Sequence, residues 1–336
     1  MRSNPLFLSV LGALGACALF ATAASGCGSD SDDDAANPSS SGSSSGAGAG
    51  SSGGGCTPPA ACTDVESECI AQEDNTGNET PGLRMSYLTI TSPEALASLF
   101  VQQLVLDGVL LDKPACYLDG QGTFSWLLQF DKAAGTLKTG GAAISTPEEG
   151  YCFLQGDLGG LDVSPIVVDA ALGGTGTFSV TEGKDVVVPI FDDTTGDSYI
   201  LLPLRQARIY DATLSADGNC IGKHNADGLT TIDQCLSSVP DYPAFVAGAS
   251  LDGFITLEDA DTVIVPQLGA SLCTVIAMNE NDGGTPKKCV RDGGGKITYV
   301  GDWCSETNSA GGCKDSVRLG ATFSASGAKI TGDCPQ

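Results

Sequence analysis

Twelve cysteines between residue 56 and the C-terminus constrain this chain more than any other feature. They are Cys56, Cys62, Cys69, Cys116, Cys152, Cys220, Cys235, Cys273, Cys289, Cys304, Cys313 and Cys334. No two of them stand as Cys-x-x-Cys, the spacing that zinc ribbons and thioredoxin-type redox sites use to put two thiolates on one tight turn. An even number without that spacing predicts six disulfides and an oxidising compartment. Proximity in sequence favours Cys220–Cys235 and Cys304–Cys313 as local pairs. A chain stapled this often can hold a fold rich in turns and short strands, because the cross-links restrict its unfolded state.

At 336 residues the chain has room for one large domain or two modest ones. Its 41% hydrophobic content is that of a globular protein, not a disordered one. The formal net charge of −25 bears on partners. A phosphate backbone or an anionic bilayer surface calls for a basic footprint, so nucleic acid is excluded as a partner. Acidity of this kind ordinarily solvates an exposed surface, with binding of divalent cations as the sharper alternative.

Residues 1–26 carry the parts of an export signal, with Arg2 as the positive start and an apolar run from Leu6 to Ala24. The run ends in Ala24-Ser25-Gly26-Cys27. This ending resembles the lipobox of bacterial lipoproteins, although Ala24 stands where Leu is commonest. The resemblance covers the leader alone. It implies cleavage before Cys27, a diacylglycerol on the Cys27 sulfur, an acylated amine, and hence the lipid bilayer as a partner. An uncleaved membrane helix is the alternative for an apolar run of this length, but Gly12, Gly15 and the small-residue ending argue against it. Gly28-Ser29 follow Cys27 where an inner-membrane lipoprotein would carry Asp, so the resemblance implies the outer membrane.

Residues 27–55 comprise that cysteine and a Gly/Ser-rich segment with acidic residues at Asp30, Asp32, Asp33 and Asp34. Such a segment buries no apolar surface and is expected to stay disordered. As a flexible coil it spans roughly 30 Å on average. Gly48-Ala-Gly50-Ser-Ser-Gly53 fits a dinucleotide-binding pattern and Gly42-Ser-Ser44-Ser-Gly46 a nucleophile elbow. Neither lies between a strand and a helix, so both are accidents of low complexity.

Residues 56–336 are expected to form the folded, disulfide-bonded domain, with a boundary near residue 215 as the alternative. Residues 56–82 read as an irregular stapled cap, followed by a strand over Leu83–Thr91. A helix is predicted from Ser92 to Gly108, with Ser92 as cap, Pro93 and Glu94 in the first turn, and Leu96, Leu99, Phe100 and Leu104 on one face. Beyond it the period changes to two. Phe124, Trp126, Leu128 and Phe130 alternate with polar residues, and Thr136–Thr139 forms the return strand. Val186–Phe191 and Tyr199–Leu204 flank Asp192–Asp197 as a hairpin, with Pro189 and Pro203 marking edge positions or bulges. Val317, Leu319, Ala321 and Phe323 alternate with polar residues, and Ser326-Gly327 turns the chain into Ala328–Ile330. A second helix is expected around Pro266–Met278. The pattern predicts a mainly β fold, a β-sandwich or a barrel, with one or two short helices.

The chemistry-bearing residues are few. His224 is the single histidine, so any Ser-His-Asp or Cys-His site would have to use it; its polar loop setting reads as a solvated side chain. Lys138-Thr139-Gly140 and Ser326-Gly-Ala-Lys329 fit elements of the penicillin-binding enzymes, but in reversed order and without the Ser-Asp-Asn element. Two segments approach an EF-hand loop, one around Asn225, Asp227 and Gly228, the other from Ser250 through Asp252 to Asp259. Lys223, Gln234 and Gly248 occupy end positions that need carboxylates. Asp192, Asp193 and Asp197 at the hairpin tip are the remaining candidate calcium ligands. Trp126 is expected in the core and Trp303 against the disulfide of Cys304. No catalytic residue is nominated and no cofactor beyond that calcium is implied. The leading expectation is a non-enzymatic, membrane-tethered structural or ligand-binding protein. A hydrolase working through two carboxylates and a carrier of lipids or other hydrophobes are the rivals.

Overall fold

The computed structural model describes residues 69–98, 101–102, 108–109, 122–224, 245–278 and 280–334. The leader, Cys27, the linker, and Cys56, Cys62, Cys116 and Cys235 lie outside the described residues.

Eleven strands and two short helices organise the domain. In chain order the strands are β1 (Gly82–Ser92), β2 (Trp126–Asp131), β3 (Thr136–Gly141), β4 (Tyr151–Phe153), β5 (Ile166–Asp169), β6 (Lys184–Phe191), β7 (Tyr199–Tyr210), β8 (Cys220–Ile221), β9 (Ala249–Thr256), β10 (Ser316–Gly327) and β11 (Ile330–Asp333). The helices are α1 (Leu257–Thr262) and α2 (Leu272–Ile276). Two-residue ladders and a turn of 3-10 helix at Pro266–Leu268 complete the described structure. The main sheet runs β5-β3-β2-β1-β10-β9-β7-β6, with β8 added to β10. All its pairings are antiparallel. The sheet therefore joins strands from both sides of residue 215.

Strand β10 is the hub, and its composition shows why. Val317, Leu319, Ala321, Phe323 and Ala325 are buried on the interior face, with small or polar residues between them. Gly320, Ser324 and Ser326 on the other face let neighbouring chain pack closely. A Cβ on Gly320 would lie 2.7 Å from the Ser92 Oγ. The sheet curls until its edges meet. Gly141 of β3 faces Pro189 of β6, where a Cβ would come within 2.7 Å of the proline Cδ. The Phe191 N–H donates to the Thr123 carbonyl at 3.3 Å. The result is a nearly closed barrel. Its interior is filled by side chains, among them Leu83, Leu128, Phe130, Leu137, Phe178 and Phe323, with Phe130 edge-on to Phe178 at 5.0 Å.

One end of the barrel carries the helical cap. Thr256 caps α1 by accepting from the Asp259 N–H at 3.0 Å, and Ser271 caps α2 by accepting from Thr274 at 3.2 Å. Leu257, Ala260, Val263, Ile276 and Ile297 pack with Val317 and Leu319, and the Cys273–Cys289 disulfide runs through this cluster. At the other end the segment before β1 clasps the sheet. Gln72 N–H donates to Gly327, and the Asn75 amide to the carbonyls of Gly82 and Gly218.

Several expectations are corrected. Cys220 bonds to Cys69, not Cys235, because β8 lies beside the end of β10 where the N-terminal segment also docks. Cys152 bonds to Cys334, and Cys304 to Cys313 as expected. Ser92 ends β1 and is no helix cap, since the strand continues its pairing with β10 as far as Gly320. Residues 93–98 turn without forming a helix, residues 101–102 and 108–109 are helical, and Leu99, Phe100 and Leu104 fall outside the described residues. Within that helical piece Gln102 is buried, and its amide bonds to the Leu88 carbonyl and the Ile90 N–H as a strand would. The predicted helix over 266–278 is a 3-10 turn followed by α2. β11 does not return beside β10; it pairs in parallel with β4. Pro189 lies on the edge strand β6 as expected; Pro203 pairs in register with Val187 of β6, ahead of the bulge between Leu204 and Ala207 and before the pairing of β7 with β9 begins at Arg205.

Candidate functional site

The register of three strands builds a polar cluster on the outer face of the barrel. Asp252 of β9 stands opposite Arg208 of β7 on one side and Gly320 of β10 on the other. On the next rung Phe254 stands between Arg205 and Arg318. Arg208 grips the Asp252 carboxylate in a fork, Nε to Oδ1 at 2.7 Å and Nη2 to Oδ2 at 3.1 Å, while Arg318 donates from Nη2 to the same Oδ2. The Asp252 side chain is 4% exposed; the Arg208 and Arg318 side chains are 47% and 43% exposed. Burial pushes the Asp252 carboxyl up, but hydrogen bonds and charge from the two arginines outweigh it and hold the group below its ordinary value of 3.8. The hydrogen bond to Asp252 in turn raises Arg208.

A disulfide-pinned loop forms the facing wall. Trp303 bridges to Ser316 through two backbone bonds of 3.0 Å, which fixes where the loop leaves β10. Cys304–Cys313 closes the loop, Ser305 bonds twice to the Asp315 carboxylate, and Lys314 reaches the carbonyls of Asp302 and Ala310. The Arg318 guanidinium lies 5.5 Å over the Trp303 ring, and Phe254 packs at 6.5 Å from it. The indole N–H donates to the Asn308 side chain at 3.3 Å. Trp303 was expected against its neighbouring disulfide; its ring also holds the Arg318 cation. The third side comes from the bulge in β7, where Gln206 has a φ of 52° and the Gly183 backbone packs directly against it.

Between these parts is a cleft of about 200 Å³, lined by Arg208, Gln206, Asp252, Phe254, Trp303, Asn308 and Arg318 with Thr181 and the glycines at 183 and 253. A shallower depression of about 500 Å³ adjoins it across Gln206, Phe254 and Asn308, with Arg205 held between Asp185 and Asp259. The cleft's charged residues are two arginines and one carboxylate, so it is locally cationic on a chain of net charge −25.

The residues singled out from sequence do not converge here. His224 is buried, not solvated. It pairs in a short ladder with Phe245, packs edge-on to that ring at 5.6 Å, and its Nε2 has no hydrogen-bond partner among the described residues. Burial lowers its pKa. At the hairpin tip, Asp193 accepts from the Thr195 N–H and hydroxyl, and Asp192 from the Ser198 hydroxyl. Among the described residues, Asp192, Asp193 and Asp197 are not one of the clusters whose ligand atoms converge within 4.8 Å; the two that do each include both cysteines of a disulfide. Ser250–Asp259 runs through β9 into α1 and forms no ion-binding loop, while Asn225, Asp227 and Gly228 fall outside the described residues. The Ser326 hydroxyl is buried and donates to the Cys69 carbonyl, and Lys138–Gly140 belongs to β3. Trp126 packs on the barrel interior as expected and donates to Thr139 at 2.8 Å. Arg208, Asp252 and Arg318 were missed as a set. The one local signal was an arginine on the polar face of the alternating β10.

The chain matches no family model and no curated protein, and its fold matches no solved structure. No helix of the described residues is long and apolar enough to cross a membrane.

Proposed function

We propose that this chain is an exported lipoprotein, tethered to the outer membrane through a lipidated Cys27, whose barrel is a non-enzymatic module that holds a small polar ligand in the Arg208–Arg318 cleft. The tether rests on the resemblance of Ala24-Ser25-Gly26-Cys27 to a lipobox. In this reading residues 28–55 separate the lipid from the folded part, and the acidity of the chain keeps nucleic acid away.

The observation that carries the binding reading is the rigidity of the cleft. Its side chains are fixed by a buried carboxylate, a stacked tryptophan and a disulfide-closed loop before any ligand arrives. Preorganisation of that kind lowers the cost of binding. Hydrolysis through two carboxylates requires one that keeps its proton near neutral pH. Asp252 is shifted the other way and is already saturated by two arginines. A hydrophobe carrier requires an apolar cavity, whereas the barrel interior is packed with side chains.

Two measurements test the proposal. Labelled palmitate should enter the wild type and not Cys27→Ala; equal incorporation refutes the tether. Thermal melting of the full chain against a panel of sugars, organic acids and inorganic ions should show at least one shift, since a ligand at a hundred times its Kd adds about 2.7 kcal/mol to the native state. A panel that leaves the melt unmoved refutes the binding reading.

A further inference from the structure

We infer that the ligand of this cleft is an oxyanion, a carboxylate or a tetrahedral sulfate or phosphate group on a small molecule, gripped between Arg208 and Arg318. This rests on the binding reading above and assigns its chemistry. Two guanidiniums repel each other, and they are brought together here because Asp252 sits between them. The carboxylate is out of reach of solvent at 4% exposed, so it neutralises one positive charge and offers an incoming ligand nothing. Each guanidinium has five N–H donors. Among the described residues Arg208 spends two on Asp252 and Arg318 one, so most of their donors remain, on side chains that are nearly half exposed. The planar fork of arginine suits an anion with two oxygens side by side.

The surroundings favour the same class. Trp303 occupies one face of the Arg318 head and Asp252 accepts from its Nη2, so two contacts hold it in place. The exposed polar groups that line the cleft are donors or amides. Its one carboxylate is buried and committed, which leaves a cation no ligand oxygen of comparable strength. Arg205 is not part of the grip, because Asp185 and Asp259 already hold it.

The test is calorimetric titration of the full chain in detergent with glucuronate, sulfate and inorganic phosphate, and with glucose as the neutral counterpart of glucuronate. At least one anion should bind, more weakly as salt is raised, and glucose should not. Arg208→Gln and Arg318→Gln should each weaken binding about tenfold or more, the scale of one charge-assisted hydrogen bond. Melting of the unliganded variants checks that they fold, and the salt dependence of the wild type stands without them. Binding of glucuronate alone identifies a carboxylate source; binding of sulfate or phosphate alone identifies a tetrahedral one. Should glucose bind as tightly as glucuronate, or folded arginine variants bind unchanged, the oxyanion assignment falls while the cleft remains a binding site. Should neither these anions nor any compound of the wider panel bind, both readings fall.

Discussion

Replacing Asp261 with Ala is expected to destabilise the fold by about 3 kcal/mol, and the structure shows where that figure comes from. Asp261 belongs to α1 but points inward, 1% exposed, where it accepts from the Cys289 N–H at 2.8 Å, the Ser271 hydroxyl at 2.9 Å and Arg291 Nη2 at 2.8 Å. Ser271 keeps Thr274 as a partner when the carboxylate is removed, and Arg291 keeps Glu258 and the Gly295 carbonyl. The Cys289 N–H is left buried without an acceptor, which costs about 2 kcal/mol. The ion pair to a partly exposed arginine, discounted for solvent, contributes about 1 kcal/mol. Asp259, two residues earlier on the same helix, supplies the control. Its carboxylate is 32% exposed and 3.4 Å from Arg205, so Asp259→Ala should cost below about 1 kcal/mol. Urea unfolding of the full chain with disulfides intact measures both. If Asp261→Ala costs no more than Asp259→Ala, the account of the cap is wrong. The acid limb gives a second readout. Burial raises the Asp261 carboxyl, but the Cys289, Arg291 and Ser271 hydrogen bonds outweigh it and hold it below 3.8. The unfolded chain therefore takes up the proton first, and this stabilisation, present above the unfolded value, is lost as pH falls through the folded one. Asp261→Ala should lose less stability than wild type between pH 5 and pH 2, roughly the interval in which a depressed carboxylate titrates.

Three further outcomes follow from the same geometry. Cys304→Ser with Cys313→Ser opens a loop whose ends are 9 residues apart; the loop-entropy relation predicts a loss of about 2–3 kcal/mol by urea unfolding. Gly141→Val places branched carbon against the ring of Pro189 and should cost about 1–3 kcal/mol by overpacking, whereas Gly174→Ala, with nothing within 4 Å, should leave the urea midpoint nearly unmoved. His224 is buried and its pKa is lowered, so the unfolded state binds its proton more readily, and stability falls as pH drops below 6.5. One titrating group contributes at most about 1.4 kcal/mol per pH unit, and His224→Leu should remove that share of the decline between pH 7 and pH 5.5 in paired denaturation curves.

The strands were legible because alternation is a local property. In β10 the buried odd-numbered residues from Val317 to Ala325 carry their own period, and tertiary contacts reinforce it. The hairpin of β6 and β7 was announced by its acidic, turn-forming tip. The helices were less legible for the opposite reason. α1 and α2 have six and five residues, too short for an apolar face to repeat. Their only local signs are the caps, Thr256 ahead of Asp259 and Ser271 ahead of Thr274. Around Ser92 the local signs pointed to a helix, yet β1 continues into its ladder with β10, so the cap residue was spent on strand pairing. Disulfide connectivity followed the same division. Cys304–Cys313, nine residues apart, could be read from spacing, whereas Cys69–Cys220 spans 151 residues and exists because β8 and the N-terminal segment both dock on the end of β10.

The cleft belongs wholly to the second category. Arg208 is 44 residues from Asp252, and Asp252 is 66 from Arg318, so no motif joins them, and each alone looks like an outward residue of a solvated strand. Only the register of β7, β9 and β10 sets them side by side. Chance placement on the surface is a poor account of the result. The chain has six arginines among 336 residues, and two of them converge on one buried carboxylate with a third, Arg205, on the adjoining rung. A barrel that needed only solubility would be served as well by lysines spread over its face. Burying Asp252 incurs a desolvation cost, and it takes hydrogen bonds and charge from both arginines to outweigh it. The arrangement makes physical sense when the alignment of the two guanidiniums is itself the useful product, available to an anion that completes the cluster from solvent.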